Sequence, residues 1–283
     1  MAVSGNPVFA NNKNFNPKPA FQGQLQNQGY QGADYATKDA GLNPQQLQDL
    51  YNAPSAGPVQ TGRMTLDDVI IKTVGMLALV LAGAAVGWIF PVLTIPGMIV
   101  GLVLGLVNSF KREPSPALMM LYAAAEGVFL GGISGFLEGM FPGIVVQAVL
   151  GTLSVFAVTL LLFKSGKVRA TPKMTKIFMI AIGGYLVFSL LNFGLMIFNV
   201  TDSPWGIRSM HIPGTSIPFG LVLGLLAIGL AAFSLVMDFT SIQGGVRNGV
   251  PAQYSWTAAF GLTVTLVWLY VEILRLLAIM RNN

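Results

Sequence analysis

Residues 217–242 read IPFGLVLGLLAIGLAAFSLVMDFTSI, and residues 255–280 read SWTAAFGLTVTLVWLYVEILRLLAIM. A helix rises 1.5 Å per residue, so about 20 apolar residues cross a ~30 Å hydrocarbon core, and each run is long enough. The polar stretch between them, Gln243–Pro251, is rich in turn formers. The pair therefore predicts a membrane hairpin. Each run also carries one carboxylate where an apolar residue is expected, Asp238 in the first and Glu272 in the second. An ionised carboxylate at bilayer depth costs at least ~2.5–3.5 kcal/mol, so two of them on neighbouring spans are candidate functional groups.

The same reading extends to the rest of the chain. Of 283 residues, 53% are hydrophobic and 10% charged, against roughly 25% charged in a soluble domain. Further spans are predicted at about 69–90, 96–110, 117–141, 144–163 and 177–200, which makes seven with the hairpin. The expected fold class is an all-α polytopic membrane protein of seven transmembrane helices, residues 64–283. Residues 1–63, rich in Asn, Gln, Gly and Pro, cannot bury enough apolar surface to offset chain entropy, and are expected to form a disordered cytoplasmic tail. Within it, Asn43-Pro44 could cap a short helix to Tyr51. Thr65-Leu-Asp-Asp68 is a capping-box pattern opening the first span.

Charge sets the expected orientation. Lys111 and Arg112, the five basic residues of the 164–176 loop, and Arg247 fall on one side. The other side holds only Arg208 and Arg281. Basic loops stay cytoplasmic, so the N-terminus is expected inside and the C-terminus outside. The net charge of +5 is explained by this asymmetry, and no nucleic-acid partner is expected. The bilayer is the expected partner.

Few residues offer enzyme chemistry. There is no cysteine and one histidine, His211, which excludes thiolate and multi-histidine metal sites. Gly132-Ile-Ser134-Gly135 fits the pattern of intramembrane serine proteases, but that chemistry needs a base beside the serine, and His211 lies in an outer loop. Neither an enzyme nor a resident cofactor is expected. Glycines recur every fourth residue at Gly97, Gly101 and Gly105, and at Gly127, Gly131, Gly135 and Gly139. That spacing puts small residues on one helix face, so spans two and three are expected to pack closely.

The ionisable residues inside spans are Glu126, Glu138, Asp238, Glu272 and Arg275. Glu138 is expected at the interface and Glu126 deep enough to need a partner. Arg275, three residues after Glu272, can reach it along one helix face. Hairpin geometry instead separates Asp238 and Glu272 in height by roughly 12 Å, or about 6 Å if the turn centres near Gln253. Facing carboxylates would share a proton and titrate as a coupled pair. Glu272 thus has two candidate partners, Asp238 and Arg275.

Asp238-Phe-Thr-Ser-Ile resembles the segment closing the sixth span of the Bax inhibitor-1 (transmembrane Bax inhibitor motif) family. Leu269-Tyr-Val-Glu-Ile-Leu-Arg-Leu-Leu resembles that family's Leu-Tyr-Leu-Asp-Phe-Ile-Asn-Leu-Phe in the seventh, and Glu126-Gly127 is similar to its Glu-Gly segment. Asn6-Pro7-Val8-Phe9 and Met64-Thr-Leu-Asp-Asp-Val look like the actinobacterial branch. The resemblance implies a seven-helix fold with the last helix central, in a bacterial plasma membrane. It also implies a pH-sensitive calcium leak gated by Asp238 and Glu272, with Glu126 and Arg275 as supporting polar groups. Calcium prefers six to eight oxygens, so two carboxylates would make only a weak transit site. The alternative implied function is regulation of a membrane-bound ATP-dependent protease or other membrane complex, with residues 1–63 as the contact.

Overall fold

The computed structural model describes residues 62–198, 200 and 205–282. The expected tail and its short helix lie outside the described residues, apart from Gly62 and Arg63. Within them the chain forms α1 (Leu66–Ile89), α2 (Thr94–Phe110), α3 (Pro116–Met140), α4 (Ile144–Lys164), α5 (Pro172–Ile197), α6 (Phe219–Arg247) and α7 (Ser255–Asn282). No β-strand occurs among the described residues. All seven helices are long and apolar enough to cross a membrane, α2 and α7 with the short 3-10 turns that precede them. The protein is an all-α polytopic membrane protein.

Local chemistry explains the helix ends. Asp68 N donates to Thr65 Oγ1 at 3.1 Å and Thr65 N to Asp68 Oδ2 at 3.4 Å, the reciprocal capping box at the head of α1. Helix α2 starts at Thr94, two residues before the expected Pro96, because a proline in the first turn lacks only an N–H that has no intrahelical partner anyway. Helix α5 starts at Pro172, five residues before the expected Ile177. Thr171 caps it by accepting from Met174 N at 3.4 Å, with Pro172 in the first turn. Lys173 and Lys176 therefore belong to the helix. The α6–α7 turn also shortens, since α6 continues to Arg247 and the chain reverses at Gly249, whose φ of 65° suits glycine.

Helix α7 is central. Of its apolar stretch 61% is buried, against 11% for α5. It packs on α6, α1, α4 and α3, and both apolar clusters of the core include its side chains. Phe260 of α7 meets Tyr122 of α3 edge to face, with ring centroids 5.0 Å apart. The segment before α1 is tied to the same helix. Met64 N donates to Val250 O at 2.7 Å, and Ala252 N donates to Gly62 O at 2.8 Å. Lys72 Nζ donates to Ser255 Oγ at the first turn of α7 and lies over the Trp256 ring.

The glycine ladders behave differently from expectation. Lipid supplies no hydrophobic force between helices, so close backbone approach through small residues carries the packing. Gly97, Gly101 and Gly105 do face α3: a Cβ at Gly97 would lie 3.0 Å from Ala125 O and from Phe129 N. Gly127 and Gly131 instead face α1, against Val80 and Ala84 backbone, while Gly83 and Gly87 of α1 meet Ala124 and Val128 of α3. Gly135 lies against the Trp88 ring of α1, and Gly139 has open space around it. The α3 ladder therefore packs α3 on α1 and leaves α2 to its own stripe. The expected spans-two-and-three pairing holds only for the α2 glycines. Gly131→Val places a side chain inside the Ala84 carbonyl and should destabilise by ~1–3 kcal/mol or more. Thermal unfolding in detergent should show a clear fall in Tm, with Gly139→Ala as the unaffected control.

Candidate functional site

The site grows from one residue on the central helix. Glu272 lies two-thirds along α7, with its side chain only 3% exposed. Three neighbours bind its Oε1: Tyr185 OH donates at 2.5 Å, Arg275 Nη1 at 2.9 Å and Trp268 Nε1 at 3.3 Å. Trp268 and Arg275 stand at i−4 and i+3 on the same helix, the spacing that brings side chains onto one face. Arg208 comes from elsewhere in the chain. Its Nη1 lies 3.9 Å from Glu272 Oε2, an oxygen with no hydrogen bond among the described residues. Its Nη2 donates to Tyr185 OH at 3.1 Å and Ser189 Oγ at 2.9 Å. Arg275 Nη1 also reaches Tyr185 OH, at 3.2 Å.

Helix α5 and the turn after it place these groups. Tyr185 and Ser189 are one helical turn apart and face α7 together. Asn192, nearly one turn further, holds the 3-10 turn at Gly206–Ser209 by accepting from Ile207 N at 2.8 Å and donating to Trp205 O at 3.3 Å. Gly206 sits so close to the Asn192 amide, at φ 62°, that a Cβ would collide with it. The turn therefore drops Arg208 inward, where its guanidinium lies 5.4 Å from the Tyr185 ring and 5.7 Å from the Phe188 ring. Charge asymmetry had assigned Arg208 to the outer loop. Here it is buried.

Asp238 is also fully buried and accepts from Thr265 Oγ1 of α7 at 2.7 Å. Thr265 and Glu272 are seven residues apart, which is two turns and about 10.5 Å along the same face of α7. The ion-pair partners of Glu272 are Arg275 and Arg208. Glu126 is half-buried at the α2–α3 interface, where Gly101 leaves room for its carboxylate. Glu138 accepts from Gly143 N at 2.5 Å and Val145 N at 3.0 Å. It neutralises the N-terminus of α4, so its role is that of a helix cap. Ser134 Oγ lies 2.7 Å from Tyr270 OH, an α3–α7 link with no histidine beside it. Among the described residues no group of three His, Asp or Glu side chains gathers to hold a metal.

A cavity of about 890 Å³ adjoins the Glu272 cluster, walled mainly by α3, α5 and α7. Arg275, Tyr185, Ser189 and Arg208 form its polar side; Phe129, Ile133 and Ile182 are typical of the remainder.

A family model for Bax inhibitor 1 like proteins matches residues 6–282. The chain belongs to the Bax inhibitor-1-like family. No curated protein matches it. Family membership agrees with the segments that suggested it, those around Asp238 and Glu272 among them. Tyr185, Ser189, Asn192, Arg208 and Trp268 were not anticipated. One signal pointed to Arg208, which was an exception in a loop otherwise poor in basic residues.

Two substitutions measure what the cluster contributes. Tyr185→Phe removes a donor to Glu272 and the acceptor shared by two arginines, and should cost about 1.5–3 kcal/mol, the range for hydrogen bonds to charged groups. Thr265→Val should cost a similar amount through Asp238. Guanidinium-free thermal unfolding in one detergent should show both as lower Tm, and an unchanged Tm for Tyr185→Phe would mean that Glu272 does not depend on it.

Proposed function

We propose that the protein is a pH-sensitive cation leak of the Bax inhibitor-1 type, closed in the arrangement described above. The observation that carries this reading is Glu272, a carboxylate buried on the central helix and locked by Arg275, Arg208 and Tyr185. Protonating Glu272 would neutralise the one carboxylate among the described residues of that cluster. The two guanidiniums would then lose their counter-charge, and Arg208 and Tyr185 would release Glu272, which loosens α5, the helix with the least buried apolar stretch. The expected sign is more flux as pH falls. Asp238 of α6, bound by Thr265 two turns along α7 from Glu272, would be the second carboxylate on the ion path, and Glu126 a supporting polar group. Calcium would pass as cargo at weak, transient contacts with these oxygens. On this reading the protein is not an enzyme and holds no resident cofactor. The charge asymmetry of the loops supports a cytoplasmic N-terminus and an outer C-terminus in a bacterial plasma membrane. The Asn6–Phe9 and Met64–Val69 segments support the actinobacterial branch.

One observation favours a second reading. Two guanidiniums face one carboxylate, and the excess positive charge on the cavity wall opposes a divalent cation. A non-conducting regulatory protein, contacting a membrane-bound ATP-dependent protease or another membrane complex through residues 1–63, is consistent with that charge.

Proteoliposomes containing a calcium indicator separate the two. The leak reading expects calcium entry that rises on acidification, a shifted pH midpoint in Asp238→Asn, and entry independent of pH in Glu272→Gln. Wild-type vesicles that admit no calcium at any pH between acid and neutral would sink the leak. A membrane-protein complex that is lost on deleting residues 1–63 would then support the regulatory reading.

A further inference from the structure

The cavity between α3, α5 and α7 has room for a ligand that neither reading assigns. Its volume of about 890 Å³ lies within the range typical of small-molecule sites, ~300–1,000 Å³. Its walls are mostly apolar, and Arg208, Arg275, Glu272, Tyr185 and Ser189 supply most of its polar groups. Arg275 projects there with its side chain 29% exposed. Its Nη1 is engaged by Glu272 and Tyr185, while its Nη2 and Nε make no hydrogen bond among the described residues. Arg208, Arg275 and Glu272 together leave one positive charge in excess. An incompletely paired guanidinium at bilayer depth is costly, and an anionic acceptor would relieve it.

We propose that this cavity binds a long-chain fatty acid, with the carboxylate on Arg275 and the acyl chain along the apolar wall of α3 and α5. Three features fit that occupant together. A single negative charge balances the single excess positive charge. A planar carboxylate matches the two free donors of a guanidinium fork, which a hydroxyl or an ester cannot. An unbranched chain would lie along a mostly apolar wall that includes Phe129, Ile133 and Ile182. Ser189, whose oxygen accepts from Arg208, retains a hydroxyl hydrogen for the second carboxylate oxygen. The site is independent of whether the protein conducts cations.

Trp205 and Trp268 line the cavity, whereas Trp88 and Trp256 do not. The full chain in bilayer discs of zwitterionic phospholipid can therefore be titrated with a dibrominated stearic acid, whose bromines quench tryptophan on contact. Saturable quenching is expected, and it should fall in Trp268→Phe, vanish in the Trp205→Phe/Trp268→Phe double variant and persist in Trp256→Phe. Arg275→Gln should weaken the apparent affinity by about tenfold or more, as expected for losing a charged hydrogen-bond pair, and Arg275→Lys should restore part of it. If Arg275→Gln does not fold, Ile182→Phe, which narrows the apolar wall, should reduce saturable quenching with the ion cluster intact. Equal, non-saturating quenching by the brominated acid and by the matching brominated alcohol would overturn the proposal, because it would mean unselective lipid contact. So would a brominated anionic phospholipid that saturates where the acid does not, or unchanged affinity in both Arg275→Gln and Ile182→Phe.

Discussion

The arrangement depends on keeping one carboxylate charged, or at least satisfied, in the middle of a helix bundle. Breaking a buried ion pair by removing one partner typically costs 3–5 kcal/mol, because the survivor is left without compensation. Glu272 on α7 meets this demand in two ways. Arg275 is supplied by the same helix, at the i+3 spacing that costs no long-range order. Tyr185 and Arg208 are supplied by α5 and the turn after it, and these bonds draw otherwise distant elements onto α7. Helix α5 has the least buried apolar stretch of the seven, so apolar packing holds it weakly. Its polar links to α7, through Tyr185, and to the following turn, through Asn192, carry a larger share of its docking than they would for α3 or α6.

That division separates two kinds of helix in one fold. Helices α1 and α3 meet through backbone: Gly83, Gly87, Gly127 and Gly131 leave no side chain between them. Such a contact has no charge to titrate and no side chain to rearrange, so it is a fixed element. The α5–α7 contact is made by a carboxylate, two guanidiniums and a phenol, side chains that can exchange hydrogen-bond partners. In a hydrogen-bond network at low dielectric, losing one member weakens the others. Movement is therefore expected on the α5 side of the bundle, with the α1–α3 pair as the frame.

The fold was legible in the sequence because spans are a matter of length and composition, and both survive without tertiary context. The boundary of α5 was misplaced for a local reason: Lys173 and Lys176 looked like loop residues, while Thr171-Pro172 already carried the cap and first-turn signal. The α3 glycines were read as a packing stripe toward α2, whereas Gly127, Gly131 and Gly135 meet α1 and Gly139 has open space around it, because a stripe does not say which neighbour it faces. Gly83 and Gly87 in α1 carried that information and were not read against it. The site was half legible. Arg275 beside Glu272 followed from helical spacing. Tyr185 and Arg208 did not, because no periodicity links α5 to α7, and their convergence is set by Asn192 holding a 3-10 turn in place. Ser134 matched a catalytic pattern by sequence, yet its hydroxyl serves as a tie to Tyr270.

Helix α7 connects the two ends of the protein mechanically. At its start, Lys72 binds Ser255, and the segment from Gly62 to Met64 hydrogen-bonds the residues just before it. Further along, Thr265 holds Asp238, Tyr270 holds Ser134, and Glu272 holds the arginines. A helix of 28 residues with polar contacts at each of these levels transmits rotation poorly through soft side chains but well through its own backbone hydrogen bonds. Gly62 and Met64 hydrogen-bond the residues just ahead of the first turn of α7. A force or a partner acting there reaches Glu272 along a single rigid element, whereas the same influence applied at α5 would have to pass through the titratable cluster itself.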